Sequence, residues 1–241
     1  NSTLATGGSS SLNALAYATD MIRNGRADAI IAGGVEELCF ESMFGYYKSG
    51  HLAGTAGDAA AAPNPVPFDR KRNGFALAEG AAFLMLEEAE FARQRGANIL
   101  AEIVGIGKAY DYSRGSDDET AANALTQAVQ SALRESGLAP DAVDCISAAA
   151  NGSVHGDGNE AMALRDALGD HVSHSPTCAI KALLGDALGA AGAFQTVALI
   201  EAMQQGSLPG IPDLQETDPD FPLSIANAAA APQPMRHGLV D

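Results

Sequence analysis

The stretch Lys181-Ala-Leu-Leu-Gly-Asp186-Ala-Leu-Gly-Ala-Ala-Gly192 decides the fold. One lysine and one aspartate stand alone among glycine, alanine and leucine. The run leads into a segment, 184 to 205, whose spacing predicts a long helix with an apolar face. Side chains this small let a helix lie close against a neighbouring layer. The same character runs through the whole chain, which is 46% hydrophobic but only 5% aromatic and has no tryptophan. With 241 residues it can bury a sizeable core, and its composition suits helices packed closely on sheets.

Working outward, Gly7-Gly8-Ser9-Ser10-Ser11 precedes apolar residues at helical spacing (Leu12, Leu15, Ala16, Met21, Ile22), a helix after a serine-rich cap. Ala27 to Ala32 is a short apolar run closed by Gly33-Gly34, the pattern of a buried strand. Residues 53 to 67 read as an Ala/Gly/Pro-rich surface loop. Phe75 to Leu86 passes from loop into strand, Glu87 to Gly96 is a polar helix stopped by glycine, and Ile99 to Gly107 reads as a strand. Ser116-Asp117-Asp118-Glu119 opens an amphipathic helix to about Glu135, its acids placed to favour the N-terminal dipole. Strands over 142–148, 171–175 and 223–228 and a helix over 159–168 complete the series. The alternation predicts an α/β fold with a largely parallel sheet. With no fixed-period repeat and no long linker, residues 1–241 read as a single unit.

Charge narrows the function classes. Thirty acidic residues against 14 basic give −16, a surface that repels nucleic acid and anionic membranes. No apolar run approaches the length of a membrane span, and no basic-then-apolar leader is seen. Cys39, Cys145 and Cys178 have no paired spacing, which argues against disulfides or a zinc site and fits a reducing cytoplasm. Neither metal nor cofactor is expected.

Four segments, in order, resemble the β-ketoacyl-(acyl carrier protein) synthase family. Asp28-Ala-Ile-Ile-Ala-Gly-Gly-Val-Glu36 looks like its D-x-x-x-A-G-G-x-E strand. Pro67-Phe-Asp-Arg-Lys-Arg-Asn-Gly-Phe75, followed by Glu79-Gly80-Ala81, is similar to P-F-D-x-x-R-x-G-F-x-x-G-E-G-A, with Ala78 where a glycine is usual. The opening stretch resembles K-x-x-x-G-H-x-x-G-A-A-G, and the glycine-rich helix start at 185 to 192 completes the set. The resemblance implies a thiolase-like α/β/α/β/α sandwich.

It also implies where the chemistry should sit, and there the chain departs. The family's nucleophile lies in T-A-C-x-x-G at a strand-to-helix turn that lowers the thiol pKa. Here the turn is Thr3-Leu4-Ala5-Thr6-Gly7-Gly8, with Ala5 in the cysteine position. The histidine of A-H-G-T is Asn151, which can donate a hydrogen bond but is no acid or base at neutral pH. The second histidine is Asp186, an anion that would oppose a developing enolate. Lys181 is retained and is expected to pair with Asp186, while Gln195 stands where its glutamate partner is usual. Condensation by this chain alone is not expected.

His155, four residues beyond Asn151, reads as a solvated loop histidine. Ser2, Thr3 and Thr6 flank the nucleophile turn, where capping and turn roles are expected. Phe44, Tyr46 and Tyr47 fall where the family lines its acyl tunnel, and core packing is the competing role. By motif order the N-terminal part of the family fold is missing, and the expectation is that a separate chain supplies it. The implied function is that of a catalytically inactive chain-length factor, or ketosynthase-β. Such a subunit heterodimerises with an active ketosynthase, meets an acyl carrier protein through that partner, and shapes the tunnel in type II polyketide, polyene or fatty-acid-like elongation. The rivals are a thiolase-fold acyltransferase or hydrolase with a different nucleophile, such as Thr6 or Ser2, and a non-enzymatic binder of acyl ligands.

Overall fold

The structure, a computed structural model, describes residues 1–55, 62–111, 118–226 and 231–241, with the helix residues 118–121 described by their backbone alone. The acids expected to open the helix near 116 therefore fall at or outside the edge of the described residues. Seven α-helices are seen there: α1 (Ser10–Arg23), α2 (Phe40–Lys48), α3 (Ala89–Gln94), α4 (Asp118–Ser136), α5 (Val154–Leu168), α6 (Lys181–Leu184) and α7 (Ala191–Gln205). The strands among the described residues are β1 (Ala29–Glu36), β2 (Gly80–Glu87), β3 (Cys145–Ser147), β4 (Pro176–Cys178), β5 (Ser224–Ile225) and β6 (Gly238–Val240).

The strands form two sheets. β1 and β2 pair antiparallel, Ala29 opposite Glu87 through Glu36 opposite Gly80. The second sheet runs β5-β4-β3-β6, all parallel. Alternation along β3 explains the layering. Ile146 joins Val129 and Leu133 of α4 and Leu164 and Leu168 of α5, whereas Cys145 faces Leu199 and Ala202 of α7. Helix α7 also touches α1 and the two-stranded sheet, while Leu15 and Ala18 of α1 pack on Ala32 with Ile30, Leu84 and Leu86 alongside. The layers are thus α4/α5, the parallel sheet, α7/α1, and β1/β2. The other face of β1/β2 carries Ile31, Val35, Phe83 and Met85, all more than half exposed. Among the described residues these are four layers of the thiolase-like order.

Close approach of the middle layer accounts for the glycines. A β-carbon on Gly34 would lie 2.8 Å from Ala190 Cα, from Gly189 O and from Ser11 Cβ, and one on Gly192 would lie 2.4 Å from Leu12 Cγ. The buried Ser11 hydroxyl accepts Ala193 N at 3.0 Å across the same seam. Gly34→Ala should therefore cost about 1–3 kcal/mol by forcing helix and strand apart. The readout is a lower urea midpoint with an unchanged slope; an unmoved midpoint would show that the seam can open freely.

Several sequence expectations are corrected. β1 does not stop at Gly33-Gly34 but runs through both, because small residues let it pass under Ala190. The helix expected over 184–205 is three pieces: α6, a 3-10 turn at Leu188–Ala190, and α7, broken by Gly185 at φ +78°. Residues 171–174 form the end of a 3-10 helix capped by Ser175, and the strand follows at 176. Helix α5 starts at Val154, not 159, because Ser153 caps it by accepting Gly156 N. Residues 99–107 are not a strand: among the described residues no β-bridge joins them to another segment, and Leu100 and Val104 remain exposed. The largely parallel character holds for one sheet and not for the other.

Candidate functional site

The break between α6 and α7 swings Asp186 into the fold, where it is 5% exposed. A short parallel bridge holds its backbone: Asp186 N donates to Ala76 O at 2.8 Å and Ala78 N donates to Asp186 O at 3.0 Å. Its carboxylate is then fully engaged. Oδ2 accepts from Asn151 Nδ2 at 2.7 Å and pairs with Lys181 Nζ at 3.4 Å, while Oδ1 accepts Leu188 N at 2.9 Å. Lys181 thus pairs with Asp186, the partner expected for a buried lysine. Asn151 is fixed in turn, because its Oδ1 accepts Ser153 N at 3.0 Å. Every group here therefore meets a partner of opposite need. Tyr46 faces the same place: burial first, then the charges of Asp186 and Glu36, raise its phenol pKa.

Deeper in lie Gln195, which the sequence singled out, and two acids that it did not, Glu160 and Asp157. Gln195, 2% exposed on α7, donates through Nε2 to Ser147 O at 3.1 Å and to Asp241 O at 2.9 Å. A carboxylate in its place would face two carbonyl oxygens. Glu160 accepts Ala149 N at 2.6 Å, and burial raises its pKa well above the ordinary value, with Asp241 and Asp157 adding to the rise and Lys181 opposing it. Asp157, one turn earlier on α5, accepts from Phe68 N at 2.9 Å, Asn151 N at 3.1 Å and Gly152 N at 3.2 Å, and lies 3.8 Å from Arg72 Nε. The available signal was two acids three residues apart on an otherwise apolar helix face.

The Pro67–Phe75 signature is structural. Phe68 is fully buried at a positive φ of 61°, and Asp69 accepts from the backbone of Lys71, Gln215 and Glu216. Those three bonds lower the Asp69 pKa despite its burial. The Arg72 guanidinium pairs with Asp218 at 2.9 Å, donates to Val154 O and sits 4.7 Å from the Phe221 ring. The segment staples the loop before β5 (213–221) to the start of α5, and so fixes Asn151.

Elsewhere the candidates do not converge. Ala5 lies on an exposed turn before α1, in which Asn13 Nδ2 donates to Thr6 Oγ1 at 2.9 Å. Phe44 and Tyr47 are exposed on α2, Phe44 stacking on Phe40, whereas Tyr46 turns inward onto Phe75 and His51. His155 is exposed in the first turn of α5. A cleft of about 150 Å³ beside Lys181 is walled by Ile180, Leu184, Ala187, Ala191 and Phe194, with Glu79 at its edge. Burial pushes the Cys145 thiol up to about 12 and Cys178 to about 11, so neither is a nucleophile. Among the described residues no group of three or more His, Cys, Asp or Glu is placed to hold a metal, and no helix is long and apolar enough to cross a membrane.

Comparison with known proteins agrees with this frame. Residues 1–92 match the beta-ketoacyl synthase N-terminal domain and residues 100–215 the beta-ketoacyl synthase C-terminal domain. A putative polyketide beta-ketoacyl synthase 1 from Streptomyces virginiae is 35% identical over 95% of this chain and 54% of its own length. Among solved structures, a type II PKS ketosynthase in complex with its acyl-carrier protein superposes with a TM-score of 0.86 at 31% identity, covering 97% of this chain and 57% of that one. The ishigamide ketosynthase/chain length factor gives 0.81 at 31% identity, over 98% and 54%. The chain thus spans about half the length of the curated relative it matches.

Proposed function

The chain belongs to the β-ketoacyl synthase family, and from that premise we propose that it is a non-condensing subunit of the chain-length-factor kind. It pairs with an active ketosynthase and helps shape the tunnel for the growing acyl chain. The observation that carries this reading is the closed network of Asn151, Lys181 and Asp186. Decarboxylative condensation needs neutral or cationic donors aimed at a developing enolate. This site presents a carboxylate whose oxygens are already taken, a lysine neutralised by it, and an amide that is no base. Ala5 offers no atom that could hold an acyl group.

The partner follows from the surface. Ile31, Val35, Phe83 and Met85 form an apolar sheet face that water disfavours. In the proposal a further polypeptide layer of the assembled protein covers it. At −16 the chain is a poor seat for an acidic carrier protein, so the active partner brings the basic docking surface. Residues 1–241 then act as one ketosynthase-like unit, and the cytoplasm is the expected compartment. Tyr46, facing Asp186, is the tunnel candidate best placed near the Asn151–Asp186–Lys181 network, while Phe44 and Tyr47 are exposed on α2.

Co-expression with a cysteine-bearing ketosynthase from the same gene neighbourhood tests the reading. The two should co-purify, and replacing the partner's cysteine should abolish condensation of a malonyl-carrier substrate. Ser2→Ala and Thr6→Ala in this chain should leave the rate unchanged. An acyl label found on this chain instead would establish the acyltransferase rival.

A further inference from the structure

Three asparagines here precede glycine: Asn24, Asn73 and Asn151. That context is chemically weak, because a backbone nitrogen without a neighbouring side chain can reach the asparagine's own Cγ. At two of them the fold demands both residues. Gly152 has φ +97°, and a β-carbon on it would lie 2.5 Å from Gly74 O. Gly74 has φ +129°, and its β-carbon would lie 2.6 Å from Ala53 N and from His51 O. Asn151 is required to hold Asp186, and Asn73 Oδ1 accepts both Gly54 N and Asn64 N. The two dipeptides are joined by Gly74 N donating to Gly152 O at 3.0 Å.

We propose that Asn151 is a latent deamidation site, kept inert by the hydrogen bonds of its own loop, whose conversion breaks open the Asn151–Asp186–Lys181 network. In the reaction the Gly152 nitrogen attacks Cγ of Asn151, the new C–N bond closes a succinimide, and Nδ2 leaves as ammonia with the proton from Gly152. Water then opens the ring to aspartate or isoaspartate. The net change is one amide and one water to one carboxyl and one ammonia. Each reacting atom is restrained in the fold. Gly152 N is shared between both oxygens of the buried Asp157 at 3.2 Å, and must leave them before it can attack. Ser153 N holds Oδ1 and Asp186 holds Nδ2.

The product is incompatible with its surroundings. A carboxylate at 151 would meet Asp186 where an amide now donates, and two carboxylates at that distance do not both ionise cheaply. Isoaspartate would also lengthen the backbone at a buried turn. A transient opening of this loop thereby becomes irreversible damage.

The test uses natively purified protein, with whatever subunits accompany it, held at mildly alkaline pH and body temperature. Peptide mapping then reads aspartate and isoaspartate at each position. In urea Asn24, Asn73 and Asn151 should convert at comparable rates. In native buffer Asn151 should convert at least about tenfold more slowly than in urea, since reaction follows the opened population. Equal native and urea rates would overturn the guard. The product side is tested by Asn151→Asp against Asn151→Ala: the aspartate should melt at the lower temperature, and an aspartate variant as stable as the alanine one would overturn the claimed clash.

Discussion

Asp157→Ala is expected to cost this chain about 3–5 kcal/mol, the range for removing one partner of a buried, hydrogen-bonded charge pair. The side chain is 1% exposed and serves three backbone donors from two distant segments, Phe68 N on one side and Asn151 N and Gly152 N on the other. A methyl group would leave those donors buried without acceptors, each loss worth about 1–3 kcal/mol, and would take one of its two carboxylate neighbours, Asp157 and Asp218, from Arg72. A stability of that order is a large share of what most domains possess, so loss of soluble protein is an acceptable form of the result. Arg70→Ala, which breaks the solvated Arg70–Glu216 pair, is the control and should leave the urea midpoint unchanged. If Asp157→Ala keeps its midpoint, the loop from 67 to 75 is not held through α5 as described.

The contrast between these two arginines shows what was legible in the sequence. Both stand in the Pro67–Phe75 signature, and spacing alone assigns neither a partner, because Asp218 and Glu216 are 146 residues away in each case. Local information served better. Glycines at 34 and 192 announced close packing, and Lys181 pairs with Asp186 as expected of a buried lysine. Strands that sit between two helical layers were visible as apolar runs. What failed was the segment from 184 to 190, where helical periodicity continued through a break made by Gly185. Periodicity reports which face is apolar, and a 3-10 turn presents nearly the same face. The strand expected at 99–107 failed for a different reason: its apolar residues are real, but a strand exists only when another pairs with it. Of the candidate site, Asn151, Lys181 and Asp186 were each readable as letters, while the network joining them depends on where the break at Gly185 aims Asp186.

The second large effect is on pH. Glu160 and Asp241 are both buried and coupled to one another beneath Lys181, with Asp157 acting on Glu160 as well. Burial is the largest cause of both shifts; it moves Asp241 from the ordinary 3.8 to about 6 and Glu160 upward too. For an acid whose folded pKa is raised, folding favours the protonated form. The stability it contributes is full below the unfolded value and is lost as pH rises through the folded one. The chain should therefore be most stable in mildly acidic solution and weaken from about pH 4 to beyond pH 6, by about 3 kcal/mol for the Asp241 shift alone. Asp69 and Asp218, whose pKa values are lowered, act in the opposite sense, and their contribution is lost only as pH falls below the ordinary carboxylate range. Urea midpoints measured on either side of pH 6 check the sign, since ordinary domains gain or hold stability over that interval. Glu160→Gln keeps an oxygen for Ala149 N while removing one titrating group, so it should flatten the profile and raise stability at neutral pH. A wild-type midpoint that rises from mildly acidic to neutral solution would mean that Lys181 neutralises both acids, and that the buried pair is an ion cluster rather than a shared proton.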